Sequence, residues 1–468
     1  MENGNMTPLV PRQDGRLEWG NGVVSMLFDI AADSPVRLCN VVGRNMVPID
    51  GRLSDDGKPV VEKDPRPIVE VCAANTGSQD NRLTLIATVA GSQLRFVSAL
   101  ASEPEPGSAD PFRLEITQFA PYADLEPKGR EFEPTASERD AADFAANSAS
   151  EAVSADSNAG LVVTSVFEAF PNLSAVRTYT RLQSARQLPI EAVSSLNLTV
   201  PMRVNCGKVH RSNIFWGDAD FGLWKTIGVF VRCVTHQVRN RNQKINPGQS
   251  SSRFAMSSTS TWSSGEHEPA GILQVEGSVR RARDFSVMWQ IEHNGPWEWE
   301  VGEDDPGLHV TAFGPEYKDH GWFTNLGEGN DFESVPVSFA IAAGDWQQAV
   351  AEMTLQRRAL RIAKARELGR VDQFEHTQGL VIYNDYMNTL FGDPRIEKEL
   401  PLIEGAASVG ADVSALTPAG TTARTAVGGT WSENGRPPRT VSATPVCAVL
   451  PTRFVLMAWA WDCGSNLK

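Results

Sequence analysis

A short polar segment follows an apolar run toward the C-terminal end of the sequence. Residues Leu380–Tyr383 are largely apolar, and Asn384, Asp385 and Tyr386 come directly after them. Amide, carboxylate and phenol groups donate and accept hydrogen bonds, so together they suit the recognition of a polar ligand. A carboxylate in such a segment also often hydrogen-bonds its own turn, which leaves Asp385 equally consistent with a structural role.

The residues around this segment predict a strand, a helix and a second strand. Gly392–Pro394 supplies a turn and a helix start, because Asp caps free N–H groups and Pro suits the first helical position. From Arg395 to Val409 the apolar residues recur at helical spacing, and Gly410 then ends the helix before the next strand. Strand, helix and strand form a βα unit of a parallel sheet or barrel. In a barrel the active site lies at the carboxyl ends of the strands, which is where Asn384–Asn388 would be.

These motifs resemble the start of the barrel in glycoside hydrolase family 36, which consists chiefly of α-galactosidases. Two upstream motifs are similar to the family's N-terminal β-sandwich and to the helix after it. The resemblance extends from about Leu17 to Val413. It rests on the barrel motifs Val381–Pro394, Leu400–Ile403 and Gly410–Asp412 and on the upstream motifs Trp289–Gly295 and Arg357–Arg361.

The resemblance implies a mainly β fold: an N-terminal β-supersandwich, a linking helix and the start of a (β/α)8 barrel. The sandwich would cover residues 1–343, the linking helix 344–377 and the first βα unit 378–413, with 414–468 as a tail. The strand pattern supports a sandwich, because short runs rich in Val, Leu, Ile and Thr alternate with Gly, Pro, Asn and Asp clusters. Among these runs are Gly20–Ile30, Leu161–Glu168 and Ala175–Leu182.

The resemblance also implies an α-galactosidase, which releases terminal α-linked galactose from oligosaccharides with retention. Retention uses two carboxyl groups about 5–5.5 Å apart, one as nucleophile and one as acid/base. Family members carry them on later barrel strands, which have no counterpart here, so no catalytic residue is assigned. Tyr386 stands where the family places an aromatic residue, often Trp, against the sugar, and Asn384 and Asp385 precede it. The resemblance therefore implies that Asn384, Asp385 and Tyr386 bind substrate. A barrel needs about 250 residues. Only 91 remain from Gln378, so we expect the chain as given to be inactive.

The tail differs in composition from the rest of the chain. From Ser414 to Lys468 only Glu433 and Asp462 are acidic. Suitable codons for the residues after Val413, read with one inserted base, give Phe-Cys-Ile-Asp-Ala-Gly-Trp-Tyr-Asp, which is similar to the family's second strand. In the same frame, codons for the last eight residues give Gly-Leu-Trp-Leu-Glu-Pro-Glu, similar to a later strand. Our hypothesis is that one base is lost near codon 414 and that the tail is out of frame; the alternative is a divergent tail.

Two other functions stay open. The chain could be an inactive carbohydrate-binding or oligomerisation module, for which the tryptophan-rich region from Trp216 to Trp322 is the support. It could also belong to a related barrel enzyme, an α-N-acetylgalactosaminidase or a galactosyltransferase that makes raffinose-type sugars. Trp297 and Trp299 alternate along one predicted strand, and the core of the sandwich is a simpler place for them than a sugar-binding surface.

Composition and charge limit the possible partners. The formal net charge of −14 disfavours nucleic acid and anionic membrane as partners, because both attract clustered Lys and Arg. The sequence contains no run of about eighteen apolar residues that could span a bilayer. Its first residues show no basic-then-apolar signal pattern, so we expect a cytoplasmic protein. The expected partners are galactose-containing oligosaccharides and, from the resemblance alone, further copies of the chain in a homo-oligomer.

The cysteines and histidines predict neither a cofactor nor a metal. Six cysteines are scattered without a CxxC pair, which indicates reduced thiols, and the seven histidines show no ligand spacing. Before the predicted barrel start, Asp345–Leu368 has the pattern of an amphipathic helix. Its predicted apolar stripe consists of Trp346, Val350, Met353, Leu360 and Ile362.

Overall fold

The computed structural model describes residues 6–46, 66–74, 76, 85, 88–125, 156–200, 209–218, 223–232, 253–259, 261–275, 284–304, 307–372, 380–384, 390 and 396–415. The chain divides into two compact units, Met1–Lys364 and Ala365–Lys468. Within the described ranges, no helix is long and apolar enough to cross a membrane.

The first unit is built from strands with a few short helical turns. Its N-terminal half holds β1 (Thr7–Pro8), β2 (Arg16–Gly20), β3 (Ser25–Asp29), β4 (Arg37–Val42), β5 (Val71–Ala73), α1 (Val89–Gln93), β6 (Arg95–Ser102), β7 (Phe112–Pro121), α2 (Tyr122–Leu125), β8 (Gly160–Ala169), β9 (Ala175–Gln183), β10 (Leu188–Val193) and β11 (Leu196–Thr199).

Its second half continues in the same way and ends in the long helix α4. The elements are β12 (Val209–Asp218), β13 (Leu223–Arg232), β14 (Arg253–Ser258), β15 (His267–Val275), β16 (Phe285–Ile291), β17 (Trp297–Asp304), β18 (Gly307–Phe313), α3 (Tyr317–His320), β19 (Thr324–Leu326), β20 (Phe332–Glu333), β21 (Val337–Ala343) and α4 (Trp346–Glu367).

Antiparallel sheets account for the architecture of this unit. The largest sheet has the order β1-β6-β7-β8-β9-β21-β16-β15-β12-β13, and β20 also pairs with β9. Three smaller sheets have the orders β2-β3-β4, β19-β10-β5 and β11-β18-β17-β14. The predicted mainly β fold is therefore confirmed, and the predicted strands Leu161–Glu168 and Ala175–Leu182 lie within β8 and β9.

The prediction of a single strand over Gly20–Ile30 is wrong. It contains a hairpin turn between β2 and β3, in which Leu17 pairs with Phe28. The Asn21 Oδ1 atom accepts hydrogen bonds from the N–H groups of Val23 and Val24, both at 2.9 Å. Gly22 adopts a positive φ of 86°, which costs glycine little. Local turn chemistry therefore overrides the apolar continuity of the run.

The tryptophans of β16 and β17 lie in the core of the sandwich. Trp289, Trp297 and Trp299 are fully buried, and the rings of Trp289 and Trp299 meet edge to face with centroids 5.0 Å apart. The Trp297 Nε1–H group donates to the Ser263 carbonyl oxygen at 2.6 Å. The interpretation of Trp297 and Trp299 as core residues is thus correct, and neither is available to a sugar.

Helix α4 begins one residue after its predicted start and packs on the largest sheet. The Asp345 Oδ1 atom accepts from the N–H of Gln347 at 3.1 Å, which caps the helix. Ala349 and Met353 are buried against a small cluster on the sheet that includes Ile272 and Met288. The predicted apolar stripe is only partly correct, because Trp346 and Ile362 are exposed, whereas Glu352 and Gln356 are buried on the helix.

Candidate functional site

The predicted substrate-binding segment begins at the end of a strand in a parallel βαβ unit. Strand β22 (Ile382–Asn384) pairs with β23 (Val413–Ala415), and α5 (Ile396–Ser408) lies between them in the chain. The register joins Ile382 to Val413 and Asn384 to Ala415 in parallel. Because parallel strands end at the same edge of a sheet, Asn384 and Ala415 lie side by side at the carboxyl edge.

The end of α5 sets the position of β23. Gly410 takes a positive φ of 94°, and the N–H of Ala411 donates to the Ala406 carbonyl oxygen at 3.0 Å. This is how a helix commonly ends on a glycine. The Asp412 N–H then donates to the Val381 carbonyl oxygen at 2.9 Å, and the Asp412 Oδ2 atom accepts from the Val381 N–H at 3.0 Å. Asp412 therefore joins the two strands at their starts, away from the carboxyl edge.

Of the three predicted binding residues, the structure places one. Asn384 is exposed at the carboxyl end of β22. Asp385 and Tyr386 lie outside the described residues, so their part in binding stays a prediction. An exposed amide at the end of a parallel strand can donate to and accept from a ligand hydroxyl group. In the described residues of β22 and β23, no pair of carboxyl groups accompanies it.

The strands of this βαβ unit expose apolar surface. Val381 and Ile382 are 56% and 54% exposed, and Val409 is exposed at the end of α5. Ile403 and Ala406, one turn apart on α5, are buried. In the part of the chain that the structure describes, β22 and β23 pair only with each other. Such a pair lacks the neighbouring strands that stabilise a parallel sheet.

Three carboxylates in the sandwich lie close enough together to suit a cation, and one of them, Glu316, has a structural role. Ligand atoms of Glu298, Glu316 and Asp319 all lie within 4.8 Å of one another. Glu316 caps α3, because its carboxylate accepts from the N–H groups of Lys318 and Asp319. Burial alone would raise the pKa of Glu316, but hydrogen bonds from His320 and from these N–H groups outweigh it and lower the pKa. Capping explains the position of Glu316 without a metal ion.

A second charged cluster crosses one face of the largest sheet. Glu168 accepts from Arg113 and Arg177, each at 3.0 Å, and Glu292 accepts from Arg177 at 2.8 Å. Burial lowers the pKa of Arg177, but the charges and hydrogen bonds of Glu292 and Glu168 outweigh it and raise the pKa. Cross-strand ion pairs of this kind stabilise a sheet. Since these charges are mutually paired, the cluster is structural.

The two cysteines that the structure describes are free thiols. Cys39 and Cys72 form no disulfide, and Cys206, Cys233, Cys447 and Cys463 lie outside the described residues. Burial raises the pKa of Cys72 to about 11, and the nearby carboxylate of Glu191 adds to the rise. The thiolate is the nucleophilic form of cysteine, so Cys72 is poorly suited to catalysis at neutral pH.

Solved α-galactosidases share this fold. The α-galactosidase of glycoside hydrolase family 36 from Geobacillus stearothermophilus, in complex with 1-deoxygalactonojirimycin, matches with a TM-score of 0.53 and 12% identity, over 86% of this chain and 50% of that chain. The α-galactosidase from Lactobacillus brevis matches with a TM-score of 0.50 and 11% identity, over 87% and 49%. The galactosidase domain of an α-galactosidase–sucrose kinase matches with a TM-score of 0.51 and 12% identity, over 87% and 50%.

The chain thus spans about half the length of the solved structures it matches. No protein-family model matches the sequence, and no curated protein matches it. At such low identity the likeness shows the fold alone: the mainly β architecture of this chain matches the N-terminal β-sandwich domain of family 36 α-galactosidases.

Proposed function

We propose that this chain is the N-terminal part of an α-galactosidase-type glycoside hydrolase that releases terminal α-linked galactose with retention. One observation carries the proposal. A large antiparallel sandwich of the same fold as in solved α-galactosidases is followed by a long helix and a parallel βαβ unit. The motif that resembles the family's first barrel strand, Val381–Pro394, begins in this βαβ unit.

The proposed substrates are galactose-containing oligosaccharides. Two solved structures of the Geobacillus stearothermophilus enzyme, each with a TM-score of 0.53, are complexes with raffinose and with stachyose. By this proposal the segment Asn384–Tyr386 contributes one side of the sugar-binding site. Asn384 would hydrogen-bond a hydroxyl group, Tyr386 would stack on the sugar ring, and Asp385 would either bind a hydroxyl group or hold the turn.

By this proposal the two catalytic carboxyl groups belong to later barrel strands than the one at Ile382–Asn384, and no residue of the given sequence is assigned to them. Retention proceeds through a glycosyl-enzyme formed by the nucleophile, while the acid/base first protonates the departing oxygen and then activates water. The mouth of a closed barrel can hold two carboxyl groups on opposite sides of the scissile bond, whereas a single βαβ unit cannot. We therefore infer that the chain as given binds sugar at most weakly at Asn384 and does not hydrolyse it.

The test starts with the coding DNA across codons 405 to 425. If related genes show one additional base there, the longer reading frame is expressed beside the chain as given, and release of galactose from raffinose and melibiose is measured for both. We expect hydrolysis by the longer protein only, and a large loss of kcat/KM in its Tyr386→Ala variant with a smaller loss in Tyr386→Phe. A longer protein that folds but releases no galactose from either sugar contradicts the proposal.

A further inference from the structure

Two exposed aromatic rings lie on one short segment of the sandwich unit. Tyr317 and Phe323 are each 54% exposed. Tyr317 is the first residue of α3 and Phe323 follows the helix. The segment between them is closed at its base, because the Trp322 N–H donates to the Glu316 carbonyl oxygen at 3.2 Å. Exposed apolar rings that are close together in the chain can mark a binding site.

A second pair of rings adjoins this segment. Trp322 packs against Phe332 with ring centroids 5.2 Å apart and an angle of 48° between the ring planes, and both residues are partly exposed. Phe332 lies on β20, which is paired with β9 of the largest sheet, with Phe332 opposite Leu182. Phe332 is therefore held by the sheet and Trp322 packs against it, so little ordering entropy would be lost when a ligand binds to this pair.

The polar groups at the rim of these rings are already paired with one another. Asp319 lies 3.0 Å from the Lys318 ammonium group, and Glu333 lies 3.0 Å from the Arg181 guanidinium group. Gln183 donates to the Asp331 Oδ2 atom at 2.7 Å. Paired charges attract an ionic ligand weakly, whereas their remaining lone pairs and N–H groups can bind hydroxyl groups.

We propose that Tyr317, Trp322, Phe323 and Phe332 form a carbohydrate-binding surface on the sandwich, called the aromatic edge. A pyranose has apolar C–H faces that pack on aromatic rings and hydroxyl groups at its rim that both donate and accept hydrogen bonds. The aromatic edge offers rings, and the paired side chains that neighbour Tyr317 and Phe332 in the chain supply both donors and acceptors. It extends the sugar-directed function proposed above to a second surface, and it does not involve Asn384–Tyr386.

The aromatic edge is tested on the full chain by affinity gel electrophoresis. Three gels are compared. The first contains galactomannan, which is a polymer with α-galactosyl side chains, the second contains dextran, and the third contains no polysaccharide. We expect galactomannan to retard the chain. Because both rings are exposed, the double variant Tyr317→Ala/Phe323→Ala leaves the core intact, and it should lose about tenfold or more in affinity, equivalent to about 1.4 kcal/mol. Tyr317→Phe/Phe323→Tyr should keep most of the affinity, since it keeps both rings.

Trp262→Ala provides the matched control, because Trp262 is also an exposed aromatic residue of the sandwich unit but lies on the β14–β15 connection. It should bind like the unmodified chain. Binding should also survive 1 M salt, since screening weakens ionic contacts but not ring stacking (the Debye length is then about 3 Å). Equal binding by the chain and the double variant overturns the proposal, as does equal loss in Trp262→Ala or the absence of binding by the unmodified chain.

Two alternative occupants give different results. If a cationic partner occupies the aromatic edge, it should dissociate at high salt, and that result overturns the choice of a neutral sugar. If a second copy of the chain occupies the aromatic edge, the double variant should have a lower sedimentation coefficient than the unmodified chain, and polysaccharide should retard neither. That result also overturns the proposal. The outcome is independent of hydrolysis by the longer reading frame, so failure of the aromatic edge and failure of the proposed activity are distinguishable.

Discussion

Glu352 is a buried polar residue that joins α4 to the sandwich, and its replacement gives a sharp test of the packing. Its Oε1 atom accepts a hydrogen bond from the Arg44 Nε–H group, and its Oε2 atom accepts from the Ser174 N–H at 2.8 Å. Arg44 also donates to the Asn172 carbonyl oxygen at 2.5 Å. One carboxylate thus links the helix to two loops that are distant in sequence.

The magnitude follows from how deeply each partner is buried. Glu352 is 8% exposed at its side chain and Arg44 is 39% exposed. Removing one member of a fully buried ion pair costs about 3–5 kcal/mol. Water can reach Arg44 and recover part of this cost, whereas the Ser174 N–H loses its partner at about 1–3 kcal/mol. We therefore expect Glu352→Ala to lower the free energy of unfolding by about 3 kcal/mol.

Glu352→Gln separates charge from hydrogen bonding. The amide oxygen can still accept from the Ser174 N–H, but the charge that attracts Arg44 is gone, so we expect a loss of about 1–2 kcal/mol. Urea unfolding followed by tryptophan fluorescence measures both losses, because Trp289, Trp297 and Trp299 are buried reporters of the sandwich.

Arg358→Ala, on the exposed side of α4, is the control and should change stability by no more than about 0.5 kcal/mol. If Glu352→Ala unfolds at the same urea concentration as Arg358→Ala, the carboxylate does not hold the helix and the reasoning is refuted.

Two further predictions concern ionisable groups of the sandwich. The pKa of Cys72 is raised to about 11, mainly by burial, so alkylation by iodoacetamide at pH 8, mapped by mass spectrometry, should be far slower in the native chain than in denaturant. Equal rates in both states would contradict this. Hydrogen bonds lower the pKa of Glu316 below the usual value of a glutamate, so its stabilising contribution is present above that usual value and is lost as the pH falls through the folded value. The stability difference between the chain and Glu316→Gln should accordingly be constant above about pH 5 and shrink below it, as followed by urea unfolding; a difference that grows in acid would have the wrong sign.

Local sequence patterns predicted the positions of helices and strands better than the contacts that those elements make. The βαβ unit follows from turn and capping residues close together in the chain, and α4 begins one residue after its predicted start. The position of Glu352 against Arg44 could not be read this way, because the two residues are 308 positions apart. The predicted stripe on α4 was partly wrong for the same reason. Periodicity gives the spacing of a helix face, but the contacts made by Glu352 decide which face is buried.

The alternation of apolar and charged residues along β17 correctly indicates burial for one face of the strand, but it wrongly suggests solvent exposure for the other. Trp297 and Trp299 face the core as predicted, and alternation would normally send the residues between them to solvent. Glu298 and Glu300 are nevertheless buried. They share their face with the neighbouring strands, where Thr311 donates to the Asn197 Oδ1 atom at 3.0 Å. A strand buried on both faces with polar residues on one of them arises only from long-range pairing, which a single sequence does not reveal.

The same limit applies to the candidate site. Under the proposed function the carboxyl groups come from barrel strands that are distant in sequence, and the motif around Asn384 resembles only the first of them. The aromatic edge was missed for a related reason: Tyr317 and Phe323 follow no period, and only the fold shows that their rings are exposed. Core tryptophans and exposed rings occur in the same aromatic-rich region of the sequence. Exposure in the folded state is therefore what separates the residues that build this sandwich from those that can bind sugar.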